Sequence, residues 1–60
     1  MIEVYLTTED LAQRLKIKPA TLRYWRHKNK GPRFLKLGEG VSAHVRYALS
    51  DVIKWEHGLA

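Results

Sequence analysis

The residues best suited to chemistry in this sequence are cations gathered in one segment. Between Arg14 and Lys36 the chain carries nine basic residues and no acidic one. The whole sequence has 11 Lys and Arg against 6 Asp and Glu, a formal net charge of +5. Side chains of the same charge repel one another over so short a segment, and binding to a polyanion would reduce that repulsion. The pattern favours nucleic acid as the partner, with an acidic protein or a membrane surface as alternatives.

Other chemistries find no support among the side chains. The sequence has no cysteine, and His27, His44 and His57 lack the close spacing of a metal site. No paired carboxylates, no nucleophile beside a base and no glycine-rich phosphate loop stand out. We therefore expect a protein that is not an enzyme and that uses neither a metal nor a cofactor.

The length of 60 residues predicts one domain, residues 1–60, with a small and economical core. The 45% hydrophobic and 28% charged content is typical of a folded globule. The opening sequence MIEVYLTTED lacks the basic and long apolar parts of a signal peptide. No apolar run approaches the ~20 residues of a membrane span. We expect a cytoplasmic protein with no membrane partner.

The cations need helices to position them, and the first helix is predicted from its start signal. Thr7 and Asp10 have the spacing of a capping box, with Leu6 and Leu11 at the positions of a hydrophobic staple. The helix is expected to end near Lys16. With no glycine there, Lys16 is expected to adopt the left-handed conformation at a cost of roughly 1 kcal/mol.

A second helix is predicted to begin at Pro19, which suits the first helical position because it has no amide hydrogen. Only residues 16–18 separate the two helices, so they must meet at a steep angle with Ile17 turned inward. The sequence NKGP ends the second helix near Lys28. Two helices joined by so short a turn, the second of them basic, form a helix-turn-helix arrangement. Its apolar positions are Leu11, Ala12, Leu15, Ile17, Leu22 and Trp25.

A hairpin and a third helix complete the predicted order. RFLKL and HVRY are two β-prone runs separated by GEGVSA, which predicts a hairpin with a long turn. LSDVIKWEHGL predicts a closing helix with Ser50 as its N-cap and Gly58 as its stop. Its apolar side is assigned to Leu49, Val52, Ile53 and Trp55.

The second helix has two sides if Leu22 points into the core. The helical period then places Trp25 with the core and Tyr24 on the opposite side. Arg26 lies at the border between these two sides. We expect its aliphatic chain to pack inward and its guanidinium to reach the backbone of a nucleic-acid partner. The outward side carries Ala20, Arg23, Tyr24 and His27, flanked by Thr21 and Lys28.

If the partner is a nucleic acid, we expect these side chains to have different roles. Arg23 is the best candidate for reading sequence, because a guanidinium donates two hydrogen bonds to guanine O6 and N7. Tyr24 is expected to meet a phosphate or a base edge, and Thr21 and Ala20 a phosphate or a thymine methyl. Cations that bind phosphate position a protein without specifying sequence. That role is assigned to Lys18, Lys28, Lys30 and Arg33.

The chain from about residue 5 to residue 56 resembles the small winged-helix proteins of the MerR and AlpA-like excisionase superfamily. YLTTEDLAQRLKIKPATLRYWR is similar to that family's opening helix-turn-helix. GPRFLKLG followed by VRYALSDVIKW is similar to its wing and closing helix. The resemblance implies a winged helix-turn-helix fold, mainly α with a small β-hairpin. It also implies double-stranded DNA as the partner, with the second helix in the major groove and the wing at the backbone or minor groove.

The wing departs from the family pattern, in which many relatives have a short basic tip. GEGVSAH is longer and carries Glu39, which we expect to point away from phosphate. Ser42, Ala43 and His44 become the contact candidates. Arg46 on the returning strand either binds phosphate or pairs with Glu39.

The function that the resemblance favours is that of a phage-type excisionase, or recombination directionality factor. Such a protein binds repeated sites in attachment DNA, bends the DNA and helps an integrase carry out excision in the bacterial host. Integrase and neighbouring copies of the chain are then expected partners, and the lack of an attached effector domain favours this hypothesis. The first alternative is a small AlpA-like transcriptional regulator at a promoter operator. The alternative from another class is a basic module that binds an acidic protein.

Overall fold

Three helices and one small antiparallel sheet make up the protein in a computed structural model that describes residues 2–38 and 44–58. The elements are β1 (Tyr5–Leu6), α1 (Thr8–Leu15), α2 (Pro19–His27), β2 (Leu35–Leu37), β3 (His44–Ala48) and α3 (Leu49–Gly58). This order confirms the predicted fold class of helix-turn-helix, hairpin and closing helix. It adds one strand, β1, that the sequence analysis did not predict.

Helix α1 is closed at both ends by local hydrogen bonds. The Asp10 amide donates to Thr7 Oγ1 at 3.0 Å and the Thr7 amide donates to Asp10 Oδ2 at 3.1 Å, which confirms the capping box. At the other end Lys16 is left-handed, with φ 58°, and the Ile17 amide donates to the Ala12 carbonyl at 3.0 Å. This Schellman-type ending turns the chain sharply toward α2. The predicted conformation of Lys16 is therefore confirmed.

Helix α2 begins at Pro19 as predicted and ends in a second reversal. Asn29 is left-handed, with φ 56°, and the Lys30 amide donates to the Trp25 carbonyl at 2.7 Å. Gly31 follows with φ 81°, and a Cβ atom on it would lie 2.8 Å from Trp25 Cε3. Glycine is required at this position because the backbone passes directly against the indole.

The sheet has the strand order β1-β3-β2, with both outer strands antiparallel to β3. Leu35 pairs with Arg46 and Leu37 with His44, which confirms the predicted hairpin; we call β2 and β3 the wing. Leu6 pairs with Tyr47 across β1 and β3. Strand β1 has only two residues, too few to show an alternating pattern, so its sequence gave no strand signal.

Helix α3 corrects two predictions. It starts at Leu49, directly after β3, so Ser50 lies inside its first turn and is not the N-cap. The Ser50 hydroxyl instead donates to Glu3 Oε1 at 2.5 Å, and the Leu49 amide donates to the Val4 carbonyl at 2.8 Å. Ile53 was assigned to the apolar side but is 37% exposed. Both bonds join the start of α3 to the N-terminal segment.

The core lies where α1, α2, β3 and α3 meet. Its buried hydrophobic cluster is Leu11, Ala12, Leu22, Tyr47 and Val52. Partly buried side chains surround it, among them Leu15, Ile17 and Trp25, as the sequence predicted. Tyr47, which no prediction placed in the core, is the largest fully buried side chain among the described residues. Over those same residues, no helix has the length and apolar character needed to cross a bilayer.

Candidate nucleic-acid interface

The outer side of α2 presents polar and aromatic groups to solvent, as the helical period predicted. Ala20, Arg23 and His27 are exposed and Tyr24 is 56% exposed. Within residues 2–38 and 44–58, the Arg23 guanidinium has neither a hydrogen-bond partner nor a carboxylate partner. The Lys28 ammonium lies 5.9 Å from the centroid of the Tyr24 ring, so charge and aromatic surface are adjacent. Thr21, at the flank, is half-buried.

The inner side of α2 is built for packing. Leu22 is fully buried, and Trp25 is partly buried against the core cluster. The Trp25 ring also meets Trp55 of α3, with ring centroids 5.8 Å apart and planes tilted by 52°. This arrangement is a favourable aromatic geometry. Trp25 and Tyr24 are neighbours in sequence but have separate surroundings.

Arg26 lies on the inner side rather than at the outer surface. Its Nη1 donates to Tyr47 Oη at 2.9 Å and to Thr8 Oγ1 at 3.2 Å. The guanidinium carbon lies 5.8 Å from the centroid of the Phe34 ring. The packed stem that the sequence predicted is present, but the guanidinium itself is held by the protein. Tyr47 and Thr8 were missed as its partners, although the alternation in HVRYA places Tyr47 and Val45 on the same strand face.

A cavity of about 380 Å³ opens beside Arg26, between the start of α1 and strand β3. Its lining includes Glu9, His44 and Arg46 as well as Arg26. His44 is exposed, whereas Arg46 is half-buried and donates from Nη1 to the carbonyl of Val45 at 2.8 Å. The structure thus brings together three of the predicted contact residues, Arg26, His44 and Arg46, although they come from two elements.

The predicted phosphate-binding cations lie around α2 and the loop that follows it. Lys18, at the start of α2, and Lys28, at its end, are both exposed. Lys30 and Arg33 are also exposed and line a cavity of about 210 Å³ formed by residues 29–34. The expected contacts of Ser42 and Ala43, and the orientation of Glu39 with its pairing to Arg46, lie outside the described residues.

One cation of the basic segment, Arg14, does not belong to this surface, because it forms an ion pair with another helix. Arg14 donates from Nε and Nη2 to the two carboxylate oxygens of Glu56 in α3, at 2.8 and 2.9 Å. This pairing lowers the pKa of Glu56 and raises the pKa of Arg14, because each charge is stabilised by the other. Arg14 therefore joins α1 to α3 and is held away from the cations around α2.

These features define a class of protein. Two helices joined by a tight turn, the second with an open basic side, followed by a two-stranded wing, form a helix-turn-helix DNA-binding domain. Residues 5–57 match the helix-turn-helix domain family, and the chain belongs to that family. Such a domain implies DNA as the partner and is typically non-enzymatic. No match to the chain was found among curated proteins or among solved structures.

Proposed function

We propose that the protein is a phage-type excisionase that binds repeated sites in attachment DNA, bends the DNA and directs an integrase toward excision. DNA binding follows from the helix-turn-helix family. The choice of excisionase rests on the resemblance of residues 5–56 to the AlpA-like excisionases. The observation that supports the DNA surface is the outer side of α2, where Arg23 and Tyr24 are exposed among exposed Lys and Arg side chains.

In this proposal α2 lies in the major groove and the wing lies at the backbone or minor groove. Arg23 reads guanine, since its guanidinium is exposed and has no protein acceptor among the described residues. Tyr24, His27, Thr21 and Ala20 complete the contact in the groove.

The surrounding cations bind phosphates and fix the orientation of the domain without reading sequence. These residues are Lys18, Lys28, Lys30 and Arg33, with His44 and Arg46 from the wing. Of the acidic side chains near this surface, Asp10 accepts a hydrogen bond from the Thr7 amide, whereas Glu9 lines the cavity beside His44 and Arg46. Glu56 is paired with Arg14. The six phosphate-binding residues nevertheless keep an excess of positive charge, since five of them are Lys or Arg.

A domain with so few phosphate contacts binds one DNA site weakly at physiological salt. Neighbouring copies on repeated sites, or contacts to the integrase, raise the effective affinity by making later binding events intramolecular. This requirement fits an excisionase, whose sites are repeated and whose partner is bound to the same DNA.

DNase footprinting on a fragment that holds the neighbouring integrase attachment site tests the proposal. We expect several adjacent protected sites beside the integrase core site, and excision that depends on the protein in a reconstituted reaction. The Arg23→Ala variant is the control, since it should remove the protection while the protein stays folded. A single protected operator over a promoter would instead make the protein an AlpA-like regulator.

A mobility-shift titration with salt tests the DNA surface itself. Binding that displaces counterions from phosphates weakens steeply as salt increases. Binding to DNA that is insensitive to salt, together with tight binding to an acidic protein, would favour the protein-interaction module over both DNA-binding functions.

A further inference from the structure

One side chain, Arg26, joins helix α2 to the wing. Arg26, in the last turn of α2, donates from Nη1 to the hydroxyl of Tyr47 in β3 at 2.9 Å. The same atom donates to Thr8 of α1 at 3.2 Å. Phe34, directly before β2, lies under the guanidinium and also packs against Tyr47, with ring centroids 6.3 Å apart. Arg26 therefore connects α2 with the wing, the two elements of the proposed DNA surface.

Tyr47 cannot contact DNA itself, because it is 1% exposed. It does lie on the strand that carries the wing: β3 pairs with β2 from Leu35↔Arg46 to Leu37↔His44. In the described parts of the chain, the bond from Arg26 is the only hydrogen bond between α2 and β3. Among the described residues, this hydrogen bond is therefore the polar contact that directly restrains the position of the wing relative to α2.

The chemistry of the pair suits a positional role. Both acceptors of Arg26 are neutral hydroxyls, and no described carboxylate pairs with its guanidinium. Hydrogen bonds to a charged donor are stronger than neutral ones and depend on direction. Rotating the wing away from α2 would remove one of the two hydrogen bonds of Arg26 Nη1 and the bond to the buried Tyr47 hydroxyl, which is costly in a partly dehydrated site.

We propose that the Arg26–Tyr47 hydrogen bond sets the angle between α2 and the wing, so that Tyr47 is a positioning residue for DNA binding although it never touches DNA. The proposal rests on the proposed DNA surface, in which α2 and the wing bind one duplex together. It assigns Arg26 to the alignment of that surface.

The test compares two tyrosine-to-phenylalanine variants. Tyr47→Phe keeps the ring and its contact with Phe34 and removes only the hydroxyl. Tyr5→Phe removes a hydroxyl from the same sheet, at a side chain that is 52% exposed and has no assigned DNA contact. Fluorescence anisotropy on a mixed-sequence duplex of about 20 base pairs, at about 50 mM salt, measures phosphate-driven binding by the folded proteins.

We expect Tyr47→Phe to weaken binding about three- to tenfold, which lies within the roughly 2- to 30-fold range for residues that couple to a site without touching it. Tyr5→Phe should bind as the wild type does. Residual dipolar couplings of the free protein should show the amides of β2 and β3 reoriented relative to those of α2 in Tyr47→Phe only. A purely stabilising role would lower the melting temperature without changing either quantity, and that result would overturn the proposal.

A second variant keeps the proposal testable if Tyr47→Phe melts below the assay temperature. Arg26→Lys retains the charge but loses the planar, multiple-donor geometry. We expect it to show the same loss of affinity and the same reorientation. Affinity and orientation equal to the wild type in Arg26→Lys would refute the positional role. Footprints far from an attachment site would refute the excisionase proposal and leave this test intact, because non-specific duplex binding is its readout.

Discussion

Residues of similar type on the two sides of α2 differ in their exposure and in their contacts. Arg23 and Arg26 are one helical turn apart, yet Arg23 is exposed, whereas Arg26 bonds two hydroxyls and lies over an aromatic ring. Tyr24 and Trp25 are adjacent, yet the first is exposed and the second packs on the core. Residue type therefore does not determine role in this helix. The role follows from helical phase and from which neighbours the fold supplies.

Removing the largest inner side chain should have the largest effect. Trp25→Ala deletes contacts with the core and with Trp55, and large-to-small changes of this kind cost about 3–5 kcal/mol. A domain of this size has a total stability of about 3–9 kcal/mol, so the variant should be largely unfolded by circular dichroism. Tyr24→Ala is the matched control and should melt close to the wild type. A folded Trp25→Ala protein that loses only DNA binding would reverse our assignment of the two sides.

Substitution of Gly31, whose backbone passes against the Trp25 ring, should have the next largest effect on stability. Gly31→Ala places a methyl group 2.8 Å from Trp25 Cε3 on a backbone with φ 81°, so strain and overlap add. We expect a loss of about 2 kcal/mol or more in unfolding free energy, measured by urea denaturation. Gly58→Ala is the control, since its Cβ would meet nothing within 4 Å and it should be neutral or slightly stabilising. Equal stability of the two variants would show that the indole is not held where we describe it.

The outer side should affect DNA binding and leave stability unchanged. Arg23→Ala is expected to cost roughly 1–3 kcal/mol in binding to the preferred site and to relax sequence preference. Lys30→Ala should weaken binding to all sequences about equally and reduce the slope of log affinity against log salt by about 1. Competition titrations with specific and mixed duplexes measure both. Indistinguishable profiles for the two variants would mean that Arg23 does not read sequence.

Acid should weaken the fold through groups that lie away from α2. Hydrogen bonds from the Thr7 amide and hydroxyl lower the pKa of Asp10 below its usual value, and the hydrogen bonds and charge of Arg14 lower the pKa of Glu56 below its usual value. A carboxyl group whose pKa is lower in the folded state stabilises the fold above its unfolded pKa, and this contribution is lost as pH falls through the folded pKa.

Unfolding free energy measured from about pH 5 downward should therefore decline, and the decline should be smaller in Asp10→Asn and in Glu56→Gln. Each variant is compared with the wild type at every pH. An identical acid dependence in all three proteins would show that neither carboxyl group is stabilised by the fold.

Much of the local structure could be predicted because its causes are short-range. The Thr7–Asp10 capping box, the left-handed Lys16 and the start of α2 at Pro19 each depend on residues within one helical turn. The two sides of α2 follow from helical period once Leu22 is placed inward. Strand β1 and the start of α3 at Leu49 could not be predicted this way, since both depend on pairing between the N-terminal segment and residues more than 40 positions later.

The candidate site divides in the same way. The sequence by itself determined the helix-turn-helix order, the basic segment, and the exposure of Arg23 and Tyr24, because periodicity and local hydrogen bonds decide these. Only the tertiary structure decided that Arg14 pairs with Glu56 and that Arg26 turns to Tyr47 and Thr8. Those partners are 18 to 42 residues away in sequence, and only packing of the helices against β3 brings them within hydrogen-bonding distance.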